Sequence, residues 1–343
     1  MFGSKLKAVE ILSVAVLAWW LLVAETELDE QLTKWVREST RVPDMSGMDV
    51  ELSEEQIEHF NRTGYLVVRG LLSREIVETL YQNRPRSVFP NWLAPIAWAL
   101  NWAFGSSLSI DMIWTESRLV RALWFEGPVP MVVSQLIGNK TVRMLADIVY
   151  GIPRGVRPRF LGKWHKDSTS FDIVERAEAQ GVSAWIPLID LDAERTGGSI
   201  FMGDFTKVSP DCQAEPSDGC SKACQDHFDE VGTVFDFRRG DVLFFTDYTF
   251  HRSQPIKQEA MIHERFSLVG RFVQGNATFK ESRDVETMRK NLCIHQLQPG
   301  EPIHSPCFPV VYPRGHAINL DQVRVPTQTR HLMVNIGQIL FGW

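Results

Sequence analysis

The feature that most constrains the fold is a series of short β-rich segments that begins near residue 159. Turn-forming Gly, Asp and Pro residues separate these segments at short intervals. Several short strands with this spacing indicate an all-β sandwich or barrel rather than βαβ units. We therefore predict a jelly roll whose core covers residues from about 159 to about 275. The segments are RFLGKWH, GVSAWIPLIDL, GSIFMG, GTVFDF, DVLFFT, HRSQP and RFSLVGRFV.

The residues before this region predict helices that flank the β core. Ser53 is suited to cap a helix with Gln56 as its capping-box partner, and Ser73 marks the start of a second helix. Between them, residues 64–70 form a β-rich run bounded by glycines. Residues 86–150 contain many tryptophans and apolar positions at mixed period, which is consistent with packed helices. The predicted fold is thus mainly β with flanking helices.

The N-terminal segment has the pattern of a membrane-targeting sequence. Residues 9–24 read VEILSVAVLAWWLLVA, with lysines before the run and acidic residues after it. Because the run is slightly shorter than the ~20 residues of a spanning helix, an uncleaved anchor and a cleaved signal peptide both remain open. The absence of a clean cleavage site favours the anchor, and a plain buried helix is the third interpretation. The predicted organisation is a signal-anchor or signal peptide over 1–25, a stem over 26–49 and a folded domain over 50–343.

Three further features agree with a position in the secretory pathway. Lysines before the apolar run would keep the N-terminus cytoplasmic, so the domain of a single-pass protein would face the lumen of the endoplasmic reticulum or Golgi. Asn61, Asn139 and Asn276 each begin a glycosylation sequon. Three of the five cysteines lie in DCQAEPSDGCSKAC, where a disulfide that braces a surface loop is favoured over a zinc site. An odd number of cysteines leaves at least one thiol unpaired.

The charge balance argues against nucleic acid as a partner. The 343 residues carry a formal net charge of −6, and the isoelectric point is near 5.9. Nucleic-acid binding by counterion release needs a broad basic surface, which this composition does not predict. We therefore expect a small-molecule substrate, and the composition does not indicate an oligomeric state.

Two histidines and one aspartate form a candidate metal site. His165 and Asp167 are two positions apart, so in an extended strand their side chains would project from the same face. His251 lies in the apolar run VLFFTDYTFHRS and is a candidate third ligand. Two imidazoles and one carboxylate select non-haem Fe(II) and leave coordination positions open. The short pattern His-x-Asp also arises by chance, and a histidine with a purely structural role is its commoner meaning.

Five longer motifs follow one another along the chain: LSEEQIEHFNRTGYLVVRGLLSREIV, KWHKDS, GVSAWIPLIDLDAERTGGSIFM, RRGDVLFFTDYTFHRSQP and RFSLVGRFV. In this order they resemble the phytanoyl-CoA dioxygenase family of 2-oxoglutarate-dependent oxygenases from residue 51 to about residue 273. The resemblance implies a double-stranded β-helix, the cupin-like jelly roll, in a dioxygenase domain over 50–343. It also implies Fe(II), the cosubstrate 2-oxoglutarate and O2, with ascorbate in a supporting role.

The resemblance also implies roles for individual residues. His165, Asp167 and His251 match the family's three iron ligands. Arg265 matches the arginine that pairs with the far carboxylate of 2-oxoglutarate, and a guanidinium offers the planar fork that such a carboxylate needs.

The same resemblance concerns three other residues, each with an alternative interpretation. Ser253 matches a position that helps to hold the 2-oxoglutarate carboxylate, and Trp185 matches an aromatic position in the cosubstrate pocket. Either of them could instead be a packing residue. Arg271 is an alternative anchor if the register of the last strand differs by one repeat.

Departures from the family pattern leave the substrate open. Ser199 and the residues after it replace a common Pro-Gly-Ser-His stretch, and Ile256 stands where an asparagine is common. The retained carboxylate of Asp167 argues against halogenation. We expect oxidation of an unactivated C–H bond of a small organic substrate by hydroxylation, desaturation or oxidative cyclisation, as in specialised-metabolite or amino-acid tailoring. The alternatives are a lumenal hydroxylase of protein side chains and a catalytically silent, membrane-tethered binding module.

Overall fold

The structure is a computed structural model in which the first described elements are a helix, a strand and a second helix. It describes residues 42–45, 47–84, 108–115, 117–152, 162–167, 174, 181–216, 220–258, 264–280, 297–318, 320 and 323. Helix α1 (Glu54–Thr63) has the predicted capping box, because Ser53 Oγ accepts from the Gln56 N–H and the Gln56 side chain accepts from the Ser53 N–H. Strand β1 (Tyr65–Val68) follows, and then α2 (Arg74–Gln82) with Ser73 as its cap. All three elements agree with the sequence prediction.

Two antiparallel sheets form the body of the domain. Their strands besides β1 are β2 (Leu108–Asp111), β3 (Val142–Ile152), β4 (Val182–Pro187), β5 (Ile200–Met202), β6 (Thr233–Val234), β7 (Val242–Thr246), β8 (His251–Ser253), β9 (Arg265–Gln274) and β10 (Val310–Tyr312). The larger sheet has the strand order β1-β7-β4-β9-β3-β10, and β2 also pairs with β3. The smaller sheet has the order β6-β5-β8.

The larger sheet is covered on one face by helices and on the other by the smaller sheet. Helices α3 (Arg118–Phe125) and α4 (Val129–Leu136) pack on the first face, where the Trp124 and Phe272 rings lie 5.7 Å apart. On the opposite face, Trp185 and Val269 of the larger sheet share a core with Met202 of the smaller one. The arrangement is a curled β-sandwich of the jelly-roll kind, as predicted.

Alternation along the strands separates a packing face from a cavity face. In β9, Phe266 and Leu268 belong to the core beneath the helices, whereas Ser267 and Val269 face a cavity between the two sheets. This follows from the period of two in a β-strand. The polar side chains that β4 and β9 send into this cavity are therefore confined to every second position.

The region 86–150 differs from its prediction as packed helices. Its described part contains α3 and α4, but it also contains β2 and most of β3, the longest strand among the described residues. Strand β3 pairs with β9 on one side and with β2 and β10 on the other. Because these partners are distant in sequence, the periodicity of the segment alone could not identify the strand.

The sheet and the core also extend beyond the predicted bounds. Strands β1, β3 and β10 belong to the larger sheet although they lie outside residues 159–275. Met45, within the predicted stem, is fully buried in the main core. The predicted signal-anchor or signal peptide (1–25) lies outside the described residues. Within the described part of the chain, every helix is too short or too polar to cross a membrane.

A disulfide braces the surface loop in which the sequence predicted one. It joins Cys212 of α5 (Pro210–Gln213) to Cys224 of α6 (Lys222–Val231), while Cys220 is a free, buried thiol. Cys307 is also disulfide-bonded. Lys166 donates hydrogen bonds to the carbonyls of Gln213 and Glu215, so the braced loop contacts the segment that contains His165 and Asp167.

We expect that replacing Cys212 and Cys224 together by serine lowers the free energy of unfolding by about 3 kcal/mol, because the unfolded chain loses a closed loop. The two cysteines are 12 positions apart. Urea denaturation of the full chain measures the change. Cys220→Ala is the matched control, since it removes a buried sulfur without opening a loop. An equal loss in both variants would contradict the loop-closure explanation.

Candidate active site

The three candidate metal ligands converge on one point between the sheets. The potential ligand atoms of His165, Asp167 and His251 all lie within 4.8 Å of one another. His165 and His251 exchange two backbone hydrogen bonds, of 3.0 and 2.9 Å, which place the two imidazole rings side by side. His251 belongs to β8, whereas His165 and Asp167 lie in a largely irregular segment held by this bridge.

Both imidazoles are oriented by backbone carbonyl groups. Nδ1 of His165 lies 2.9 Å from the Lys163 carbonyl oxygen, and Nδ1 of His251 lies 3.0 Å from that of Thr249. A carbonyl oxygen only accepts, so Nδ1 donates in each ring and Nε2 is left as the free ligand atom. Together with the carboxylate of Asp167, this donor set fits a divalent iron ion.

The carboxylate of Asp167 is buried, and each of its two oxygens accepts a hydrogen bond. Ser183 Oγ donates to its Oδ2 at 2.6 Å, and Arg271 Nη2 donates to its Oδ1 at 3.1 Å. Burial by itself would raise the pKa of Asp167, but the charge of Arg271 and the nearby imidazoles hold that pKa well below its usual range. The side chain is therefore an anion at neutral pH, as a metal ligand must be.

A cavity of about 250 Å³ next to the three ligands also contains Arg265, Ser253 and Trp185. Arg265 is buried, and burial lowers the pKa of its guanidinium to about 10, so the group stays charged at neutral pH. Its Nη2 donates to the Ser199 carbonyl oxygen at 3.3 Å. Among the described residues, its Nε has no hydrogen-bond partner. A buried guanidinium with an unused donor fits a carboxylate ligand.

Two consecutive glycines allow the chain to pass close to Arg265. Gly197 and Gly198 both have positive φ angles, of 64° and 77°. A Cβ atom on Gly197 would lie 2.1 Å from the Pro255 carbonyl oxygen, and one on Gly198 would lie 3.3 Å from Arg265 Cδ. Glycine is required here by both the backbone conformation and the lack of space.

Ser253 and Trp185 both line the cavity beside the three candidate ligands. Ser253 follows His251 by two residues on β8 and lines the same cavity. The Trp185 ring lies 5.9 Å from the Arg265 guanidinium carbon and packs edge-on against Phe237. The alternative anchor, Arg271, is paired with Asp167 instead. Of these two arginines, Arg265 is therefore the one whose guanidinium keeps an unused donor among the described residues.

Three further polar residues of the site were not predicted from the sequence. Tyr150 and Ser267 line the cavity, and Ser183 donates a hydrogen bond to Asp167. Ser183 is a lone polar residue in an apolar strand, two positions before Trp185, and that spacing was an available signal. Tyr150 lies on β3, a region interpreted as helical, so its direction was not predictable.

We expect the metal-free protein to lose stability as the pH falls from about 6.5 towards about 4. Burial, aided by His165, lowers the pKa of His251 to about 4 from 6.5. Between these values the unfolded state binds the extra proton, so stability rises with pH, by up to about 1.4 kcal/mol per unit. Urea denaturation at about pH 7 and about pH 5 measures the slope. The free energy of unfolding of His251→Gln should depend less steeply on pH. An identical slope in the variant and the wild type would contradict the conclusion that His251 causes the pH dependence.

Comparison with known proteins identifies the family of this fold. The family model of phytanoyl-CoA dioxygenase (PhyH) matches residues 60–261, which is 202 of the 343 residues. A comparison with curated protein sequences gives no match.

Three solved structures are similar. The non-haem α-ketoglutarate-dependent carbocyclase SnoK from nogalamycin biosynthesis has a TM-score of 0.51 at 16% identity, over 76% of this chain and 96% of its own. The epimerase SnoN with Fe3+, α-ketoglutarate and nogalamycin RO has a TM-score of 0.54 at 18% identity, over 75% and 98%. EctD from S. alaskensis, with 2-oxoglutarate and 5-hydroxyectoine, has a TM-score of 0.53 at 17% identity, over 82% and 92%. At these identities the likeness shows a shared fold.

Proposed function

Because the chain belongs to the phytanoyl-CoA dioxygenase family, and so is a 2-oxoglutarate-dependent non-haem iron oxygenase, we propose that it oxidises an unactivated C–H bond of a small organic substrate. The cofactors of this enzyme class are Fe(II), 2-oxoglutarate and O2. The observation that carries the proposal is the convergence of His165, Asp167 and His251 beside the buried Arg265 in one cavity. A catalytically silent relative would have no need to keep all four.

In the proposed site, His165, Asp167 and His251 bind Fe(II). The two imidazoles would coordinate through Nε2, because Nδ1 of each ring donates to a backbone carbonyl oxygen. Bound iron, with 2-oxoglutarate and O2, supplies the oxidant for hydrogen abstraction from the substrate. The burial of Asp167 and His251 keeps bulk water away from the ion.

Arg265 would hold the carboxylate of 2-oxoglutarate that is remote from the iron. The unused Nε–H of this buried guanidinium supports that role. Ser253 would donate its hydroxyl to the same carboxylate, and Trp185 would form an apolar wall that orients the cosubstrate. By fixing both ends of 2-oxoglutarate, the protein contributes positioning rather than proton transfer.

The reaction outcome that we propose is hydroxylation, desaturation or oxidative cyclisation, in specialised-metabolite or amino-acid tailoring. Structural neighbours described as a carbocyclase and an epimerase, and complexes with nogalamycin RO or 5-hydroxyectoine, support a small organic substrate. The altered residues around Ser199 and Ile256 support a substrate that differs from those of other family members.

We also propose that the domain faces the lumen of the secretory pathway behind an N-terminal anchor. Disulfides at Cys212–Cys224 and at Cys307 support an oxidising compartment. The three sequon asparagines, Asn61, Asn139 and Asn276, are exposed, as glycosylation requires. Endoglycosidase treatment of the cell-derived protein should increase its gel mobility, and N-terminal sequencing should recover an uncleaved start. A protein without glycans and without disulfides in cells would contradict this location.

The proposed activity is tested by conversion of 2-oxoglutarate to succinate in the presence of Fe(II), ascorbate and pools of small metabolites. Succinate should form only when a pool contains the substrate or allows slow uncoupled turnover. Untargeted comparison of metabolites from cells that carry the wild type or His251→Ala then identifies the substrate. If the protein binds Fe(II) and 2-oxoglutarate but none of the metabolite pools leads to succinate formation, the small-molecule proposal fails. Peptides then become the next substrates to test.

A further inference from the structure

We infer that Ser183 and Arg271 are a pair of positioning residues that present one chosen oxygen of Asp167 to the metal. The inference rests on the proposed function, since it assumes that Asp167 is a metal ligand. It assigns to both residues a role in metal binding, and it separates Arg271 from the neighbouring Arg265, which would bind the cosubstrate.

The two residues are direct neighbours across the larger sheet. Strands β4 and β9 are antiparallel partners, and their register pairs Ser183 with Arg271. Both side chains project from the cavity face, and both residues are buried, with Ser183 at 0% and Arg271 at 6% exposure. A cross-strand pair on a central part of a sheet is a rigid support, so the two donors have a fixed separation.

The pair contacts the two oxygens of Asp167 unequally. Oδ2 accepts from Ser183 Oγ at 2.6 Å and lies 3.4 Å from Arg271 Nε. Oδ1 accepts from Arg271 Nη2 at 3.1 Å and is the oxygen that lies 3.8 Å from His251 Nε2. Oδ2 therefore has two donors that hold it against the sheet, whereas Oδ1 has one donor and faces the imidazole.

This asymmetry fixes the orientation of the carboxylate. A carboxylate has about four lone-pair sites, so Oδ1 can keep its bond to Arg271 and still donate to a metal. A half-turn of the carboxyl group only exchanges two equivalent oxygens, but any smaller rotation would break the short bond from Ser183 and leave buried donors unpaired. Asp167 is thereby held in the orientation that a one-oxygen ligand requires.

Arg271 is itself held from a second side. Tyr150, on β3 at the opening of the cavity, also forms a hydrogen bond with the Arg271 guanidinium. The arginine is thus fixed between Tyr150 and Asp167 and is not available to bind the remote carboxylate of 2-oxoglutarate. Two arginines on the same face of one strand therefore have different partners.

The test compares metal affinity in variants that keep the net charge. Ser183→Ala removes one donor to Oδ2, and Arg271→Lys keeps the cation but loses the two-atom fork. Anaerobic titration of the metal-free full chain with Fe(II), and with Co(II) as a spectroscopic probe, measures the affinity without turnover. Each variant should bind both metals about 10-fold more weakly or worse, which is typical when a partner of a metal ligand is lost. The Co(II) absorption spectrum should also change, because the orientation of the carboxylate changes.

The double variant and a matched arginine variant make the test specific. Because both residues act on one carboxylate, Ser183→Ala with Arg271→Lys should weaken metal binding by less than the product of the two single effects. Arg265→Lys, on the same strand, should leave the affinity for metal alone unchanged. Circular dichroism verifies that each variant is folded. If Arg271→Lys does not fold, the smaller change Ser183→Ala provides the test.

Two outcomes distinguish the inference from the proposed function. If Ser183→Ala and Arg271→Lys both bind Fe(II) and Co(II) within twofold of the wild type while Asp167→Ala loses them, the positioning role is overturned and the metal site stands. If Asp167→Ala and His165→Ala bind the metals as well as the wild type, the metal site itself is wrong, and the proposed function fails with it.

Discussion

Replacing His251 by alanine is expected to reduce the conversion of 2-oxoglutarate to succinate by at least about 10³-fold. The change removes one of three protein ligands, and metal catalysis contributes several kcal/mol of transition-state stabilisation, at about 1.4 kcal/mol per tenfold in rate. His251 is buried, and its Nδ1 bond to the Thr249 carbonyl directs Nε2 towards Asp167. His165 is the only other histidine among the described residues that line the cavity, and it is already one of the three candidate ligands, so it cannot replace His251.

His316→Ala is the matched control for this variant, because His316 is exposed and lies outside the cavity. Succinate formation at saturating Fe(II) and 2-oxoglutarate compares the two variants, and an anaerobic Fe(II) titration separates loss of metal from loss of chemistry. Turnover by His251→Ala at more than a few per cent of the wild-type rate would show that His251 is not a ligand.

The second large effect is expected from Arg265→Gln, which should raise the KM for 2-oxoglutarate at least about 30-fold. Loss of one partner from a buried, hydrogen-bonded charge pair costs about 2–5 kcal/mol, and each 1.4 kcal/mol is tenfold in affinity. Arg265 is 9% exposed, so water would not replace the lost partner well. Arg265→Lys should recover part of the loss, because lysine keeps the charge but not the planar fork.

Discrimination between cosubstrates makes this test sharper. The wild type should strongly prefer 2-oxoglutarate to a 2-oxo acid of similar length that lacks the remote carboxylate. Arg265→Gln should lose most of that preference, since the preference depends on the guanidinium. Arg314→Gln, which removes an arginine paired with the exposed Asp49, is the control. It should change neither the KM for 2-oxoglutarate nor the preference between the two cosubstrates. If the variant kept the full preference, the remote carboxylate would have another anchor.

Much of the site was predictable because the residues that carry it occur in motifs with fixed order. His251 precedes Ser253 by two positions in one short strand, so local spacing places that pair together. His165 and Asp167 are also two positions apart, but they lie in a largely irregular segment that is held by the backbone bridge from His165 to His251 rather than in the predicted strand. The starts of α1 and α2 were predictable for the same reason, because an N-cap depends on residues only three positions apart.

Other parts of the fold depend on partners that are distant in sequence. The sequence pattern does not identify strand β3, because its 11 residues carry no clear alternation. Its strand partners begin more than a hundred residues later or lie in an equally ambiguous segment. Met45 was assigned to a stem because its polar neighbours conceal that it packs into the core. Ser183 had a recognisable position in its strand, but only its contact with Asp167 reveals its role.

The sequence by itself determined the chemistry available to this protein: two imidazoles, one carboxylate and a following arginine in a β-rich chain. Only the tertiary structure shows how the surroundings of the two arginines of β9 differ. Arg265 and Arg271 are six positions apart, so both must point to the same face of the strand, and no local pattern distinguishes them. The difference comes from the sheet register, because it brings Arg271 opposite Ser183 and against Asp167, and leaves Arg265 beside the Ser199 carbonyl with a free donor.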